Sequence, residues 1–138
     1  MIVLNSKEAS YLNTSAVVSG FNDKRIKSSA KSAERYSKRR ISKHQAEMKL
    51  IKRSVDNLSG VTTILDAPCG IGRAAIMLDK SGYSVTGGDA GRGAIIKAKN
   101  DVIASTSACE IIEADLRNLP FQQDHFDAVL CFRFFHHL

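Results

Sequence analysis

Cysteine is scarce in this chain, with three in 138 residues: Cys69, Cys109 and Cys131. An odd number, far apart and without the short spacings of metal ligands, argues against both a disulfide framework and a metal site. They read as reduced thiols, and the expected compartment is cytoplasmic. Long apolar runs are also lacking. None approaches the roughly 18 residues needed to span a bilayer. The opening "MIVLNSKEAS" has only four residues ahead of a polar stretch, too few for the apolar region of a secretory signal. Proline is rare, and Pro68 and Pro120 both stand in loop-like surroundings. The length leaves room for one domain with a modest core and none for a second.

The charge present is uneven. Residues 1–59 hold 13 Lys and Arg against 5 Asp and Glu, whereas residues 60–138 hold 7 against 9. A basic first part on a mildly acidic body implies an appended segment with its own partner or solubility role. Residues 1–33, rich in Ser, Asn and Lys, are expected to be loosely structured, with the domain proper at 34–138. From Glu34 to Leu58 the pattern is helical. Ile41, Met48 and Val55 recur every seven residues, interleaved with His44, Ile51 and Leu58, while the lysines and arginines fall mostly off that stripe.

From Val61 the texture changes to strands alternating with helices. "VTTILD", "YSVTGGD", "CEIIEAD" and "FDAVLCF" read as four strands. Helices over Arg73–Lys80 and over residues 92 to about 104 separate the first three, with Ile95, Ile96 and Ile103 expected as the second helix's apolar contacts. This alternation predicts an α/β fold with a doubly wound parallel sheet.

Between the first strand and its helix lies "ILDAPCGIGR". Gly70-Ile71-Gly72-Arg73-Ala74-Ala75 satisfies a dinucleotide-loop pattern. Glycines there let a ligand approach the backbone, and the helix start offers free N–H groups, although tight-turn glycines look the same. Asp66, four residues ahead of Gly70, would repel a pyrophosphate. It suits instead a ligand with a cationic end and no phosphate, such as S-adenosylmethionine, whose ammonium it can support. Asp89 ends the second strand, where a carboxylate can accept from ribose hydroxyls in either ligand. Asp115 and Leu116 follow the third strand, placed to meet an adenine amino group and ring. Asp115 could equally cap a turn.

Taken together, "LDAPCGIGR", "VTGGD", "EADLRNLPF" and "FDAVLCFRFFHHL" resemble, in order and spacing, class I S-adenosylmethionine-dependent methyltransferases. The likeness is greatest to the small-molecule branch that includes ubiquinone and menaquinone biosynthesis enzymes. Pro68 departs from that pattern by standing at its first glycine. The resemblance implies a Rossmann-like sheet in the order 3-2-1-4 and S-adenosyl-L-methionine as cofactor. It implies that Asp66, Ala67, Pro68, Gly70 and Gly72 hold the methionine part. Asp89, with Ala90 beside it, would bind ribose, and Asp115 and Leu116 would bind adenine. The implied function is methyl transfer to a small-molecule or lipid-like acceptor. The rivals are a non-catalytic cofactor-binding remnant and an NAD-dependent oxidoreductase. Arg133, His136 and His137 are candidates to touch the acceptor, or else they cap the last strand. No nucleic-acid motif is present, so the basic N-terminal part leaves nucleic acid a minor alternative. The family's sheet has seven strands and this sequence reaches the fourth at Leu138. The expectation is a fragment or short form whose fourth strand is an open edge through which it could dimerise, with weak or absent methyl transfer.

Overall fold

The structure is a computed structural model that describes residues 2–5 and 41–132. Its organising strand is β2, Thr63–Asp66. The successive residues Ile64 and Leu65 point to opposite sides of the sheet, yet both are buried, so both faces are covered here. Parallel partners flank β2. On one side runs β3, Ser84–Asp89, followed by β4, Glu110–Glu113, and on the other runs β5, Ala128–Cys131. These four are the strands predicted from the sequence, in the predicted order. Helix α2, Arg73–Asp79, connects β2 to β3, and α3, Arg92–Ala104, connects β3 to β4.

A fifth strand was not foreseen. Ile2–Asn5 forms β1 and pairs antiparallel with β5, placing Ile2 opposite Cys131 and Asn5 opposite Ala128. The fourth predicted strand is therefore not an open edge, and its outer N–H and C=O groups have a backbone partner. The expectation of a loose segment over residues 1–33 fails at these four residues. A run this short shows no period of its own, and its partner lies more than a hundred residues away. The rest of that segment, and the predicted helical turns from Glu34 to Arg40, lie outside the described residues.

Helix α1, Ile41–Asp56, behaves as its apolar stripe predicts. Ile51 and Val55 are fully buried in one core with Ala75 and Leu78 of α2 and Ile64 and Leu130 of the sheet, and Met48 and Leu58 pack at its margin. Lys43, Lys49, Lys52 and Arg53 stay exposed. Asp56 fastens the end of α1, accepting from Lys52 Nζ at 2.6 Å and from the Tyr83 hydroxyl, just before β3, at 2.9 Å.

Helix α3 corrects a reading. Ile95 is buried, but Ile96 and Ile103 are 49% and 76% exposed. The inward face is Ala94, Ile95 and Ala98, with Val102 at its margin. That is the spacing of three and four that a helix face requires, and Ile96 stands about 100° round from Ile95. Residue type suggested the isoleucines, while periodicity favours the alanines. The small face has a purpose. A Cβ on Gly72 would lie 3.1 Å from Ala98 Cβ, so the β2–α2 turn and α3 meet almost backbone to backbone.

Asp127, just before β5, locks that strand to β2. Its Oδ2 accepts from the backbone N–H and the hydroxyl of both Thr62 and Thr63, at 2.8 to 2.9 Å. The Thr63 backbone N–H leads these bonds in holding the carboxyl far below the usual carboxylate range. The sequence offers no local sign of this contact, which spans more than sixty residues.

Candidate functional site

The carboxyl ends of β2 and β3 define the site. The chain leaves β2 at Asp66 and passes through a short turn before entering α2. Backbone hydrogen bonds pin the turn on both sides: Ala67 N–H donates to Leu130 O and Cys69 N–H to Gly88 O, each at 2.9 Å. The Ala67–Pro68 peptide is cis. Gly70 and Gly72 have φ of +57° and +77°, a region that residues with a Cβ seldom adopt.

The two glycines do different work. A Cβ on Gly70 would meet nothing within 4 Å, so this position faces open space, as a backbone cradle for a ligand must. A Cβ on Gly72 would face Ala98 and Ile111, so this glycine serves the approach of α3.

Asp89 ties the turn to the next loop. Its Oδ2 accepts from Gly70 N–H at 2.8 Å and its Oδ1 from Gly91 N–H at 2.7 Å. Its own carbonyl accepts from Ala114 N–H at 3.0 Å, which brings the exit of β4 alongside. The half-buried Ala90 lies between the two anchored residues. Asp89 therefore shapes the site before any ligand arrives, and each carboxylate oxygen retains a lone pair. Gly91 was missed in the sequence. The run "GGDAGRG" signals it only through an acid two residues ahead of a glycine that opens a helix.

Asp66 is the unusual group. It is 2% exposed, and its Oδ2 has no hydrogen-bond partner among the described residues. Burial raises its carboxyl to about 7, against the opposing pull of the Ala75 backbone N–H, and the nearby Asp89 charge raises it further. An orphaned carboxylate oxygen beside a φ-positive glycine cradle calls for a cationic donor. Cys69, in the same turn, is no nucleophile. Desolvation and the charges of Asp66 and Asp89 push its thiol far up.

Asp115 and Leu116 leave β4 on the same side, Asp115 exposed and Leu116 half-buried. The Asp115 carboxylate is held by Arg117, whose Nη2 lies 2.6 Å from Oδ2, with Nε and the backbone N–H each 2.9 Å from Oδ1. These bonds lower its carboxyl to about 2. The turn alternative read from the sequence is thus realised by the backbone N–H bond, while the carboxylate stays exposed. Arg117 was not foreseen as its partner. Arg133, His136 and His137 lie outside the described residues. The structure thus brings Asp66, Gly70 and Asp89 into one constellation with Asp115 nearby.

With this geometry in place, comparison with known proteins is direct. The family model described as "Methyltransferase domain" matches residues 64–138. No curated protein matches the chain. Among solved structures, the PH0226 protein of Pyrococcus horikoshii OT3 is 26% identical with a TM-score of 0.57, over 61% of this chain and 40% of that one. A structure concerned with conversion of a disulfide bond into a thioacetal group during echinomycin biosynthesis is 28% identical with a TM-score of 0.51, over 59% of this chain and 33% of that one. A Methanococcus maripaludis protein assigned as an S-adenosyl-L-methionine-dependent methyltransferase shares the fold at 24% identity and a TM-score of 0.59, over 75% of this chain and 49% of that one. The chain thus spans between a third and a half of the length of these three. The family model covers more than half of the sequence, including the Asp66 turn, Asp89 and Asp115, and the chain belongs to the methyltransferase-domain family.

Proposed function

We propose that this domain binds S-adenosylmethionine and presents its methyl group to a small-molecule or lipid-like acceptor. The observation that carries the reading is Asp66 Oδ2, a buried carboxylate oxygen without a partner beside the open Gly70 cradle. A dinucleotide's pyrophosphate offers only acceptors to that oxygen, whereas an α-ammonium supplies the missing donors. In this reading Asp66 supports the ammonium and the Gly70 turn receives the ligand against backbone. Asp89 uses its remaining lone pairs for ribose hydroxyls, with Ala90 beside it, and Asp115 and Leu116 approach the adenine. Ala67, Pro68 and Gly72 hold the turn in shape.

When bound, S-adenosylmethionine supplies a methyl group already activated by its sulfonium. The protein's own contribution is alignment. It fixes both ends of the ligand so that an acceptor lone pair can approach in line, and positioning of this kind accounts for much of the rate in such displacements. A base is needed only for an acceptor that arrives protonated. A small-molecule acceptor is supported by likeness to the structure concerned with conversion of a disulfide bond into a thioacetal group during echinomycin biosynthesis.

Calorimetry with S-adenosylhomocysteine and with NAD tests the reading. Binding of the first and not the second is expected, and Gly70→Val should abolish it by filling the cradle. Preference for NAD, or wild-type binding by Gly70→Val, would refute the assignment.

A further inference from the structure

Asp66, Asp89 and Asp115 gather at the carboxyl end of this sheet with the exposed Glu113, but only Asp66 is enclosed. Asp89 has two backbone donors and Asp115 has Arg117. Asp66 has an oxygen with none, at 2% exposure. An ionised carboxylate in that position would be a buried charge without compensation, which proteins avoid by keeping the proton.

The charged and titratable groups that act on Asp66 among the described residues add no cation. From β3 comes the Asp89 carboxylate and from α2 the Ala75 N–H. The turn contributes the Cys69 thiol, β5 the Cys131 thiol, and the residue before β4 the Cys109 thiol. Burial raises all three thiols, so none becomes charged near neutrality.

We propose that Asp66 is a carboxylic acid in the ligand-free domain and that the cofactor's ammonium displaces its proton, so that cofactor binding is coupled to release of one proton. The balance is simple. The Asp66 O–H bond breaks, its proton passes to solvent, and an ammonium N–H donates to the resulting carboxylate. No electrons are transferred and no co-reactant is needed. The carboxyl's rise to about 7 agrees with this and sets the working range. The proposal rests on the cofactor reading above and deepens it. It makes occupancy of the site fall as pH falls through neutrality, because protons compete with the ligand for Asp66.

The test is calorimetry of S-adenosylhomocysteine binding at pH 6 and pH 8, each in two buffers of different ionisation enthalpy, with the wild-type chain and Asp66→Asn. The product carries the same ammonium and carboxylate and undergoes no reaction. For the wild type, release of about 0.9 proton per ligand at pH 6 and about 0.1 at pH 8 is expected, with affinity about tenfold weaker at pH 6. Asp66→Asn should bind more weakly than the wild type at pH 8 and show neither proton release nor that pH dependence. Wild-type binding without proton release at pH 6 would overturn the proposal and leave the cofactor assignment standing. Proton release that persists in Asp66→Asn would also overturn it, by placing the proton elsewhere. No binding at either pH would overturn the cofactor reading and this inference with it.

Discussion

At the scale of single residues, Asp66 sets function against stability. An acid whose carboxyl is raised in the folded state favours folding while it keeps its proton. That contribution is complete below its unfolded value of about 3.9 and is lost as pH rises through about 7. Above neutrality the ligand-free domain carries a buried charge, so Asp66→Asn should raise the melting temperature at pH 8 and have progressively less effect toward pH 4. At 1.36 kcal/mol per pH unit, the gain has an upper bound of about 4 kcal/mol. Equal melting shifts at both pH values would show that the Asp66 carboxyl titrates alike in the folded and unfolded chain, without the upward shift. Asp89 is the complementary case, with both oxygens already holding the turn and the next loop through Gly70 and Gly91. Asp89→Ala should weaken S-adenosylhomocysteine binding by about 1–3 kcal/mol, through loss of charge-assisted hydrogen bonds to ribose and of the preset turn. Unchanged affinity in that variant would remove Asp89 from the site.

At the scale of elements, the helices show how far periodicity can be read. The α1 stripe names its buried residues because they are large, apolar and correctly spaced. Ile51 is fully buried against α2 and the sheet. Ile51→Ala should therefore cost about 2–5 kcal/mol in denaturant unfolding. Ile103 is 76% exposed on α3, and Ile103→Ser should change stability by no more than about 0.5 kcal/mol. Similar losses at the two positions would mean that α3 is rotated from the orientation described. The α3 face was misread because its contacts are alanines, chosen for the close approach to Gly72. A sequence records the small residue but not the neighbour that demands it.

At the scale of the whole molecule, the sheet is finished by a strand from the other end of the described chain. In β1, Val3 stands opposite Leu130 of β5. Proline at position 3 would remove a backbone N–H and disfavour the pairing without touching the cofactor residues. Val3→Pro should speed amide hydrogen exchange over Ala128–Cys131 and leave exchange in β3 and β4 near wild type. Unchanged protection of Ala128–Cys131 would show that β1 does not hold that edge.

The four parallel strands and the Asp66 and Gly70 turn were legible from residue types alone. Each rests on local rules: β-branched runs between turn residues, glycine where φ must be positive, and an acid where a strand ends. The family likeness then ordered the strands. Tertiary structure decided everything that depends on partners distant in sequence. It set β1 against β5, gathered Thr62 and Thr63 onto Asp127, and turned α3 onto its alanines. It also separated three similar acids by environment: Asp89 anchored by backbone N–H groups, Asp115 held by Arg117, and Asp66 buried with an oxygen unpaired. An aspartate's letter carries its charge and length, but desolvation and hydrogen bonding set its protonation, and these exist only once the chain has folded.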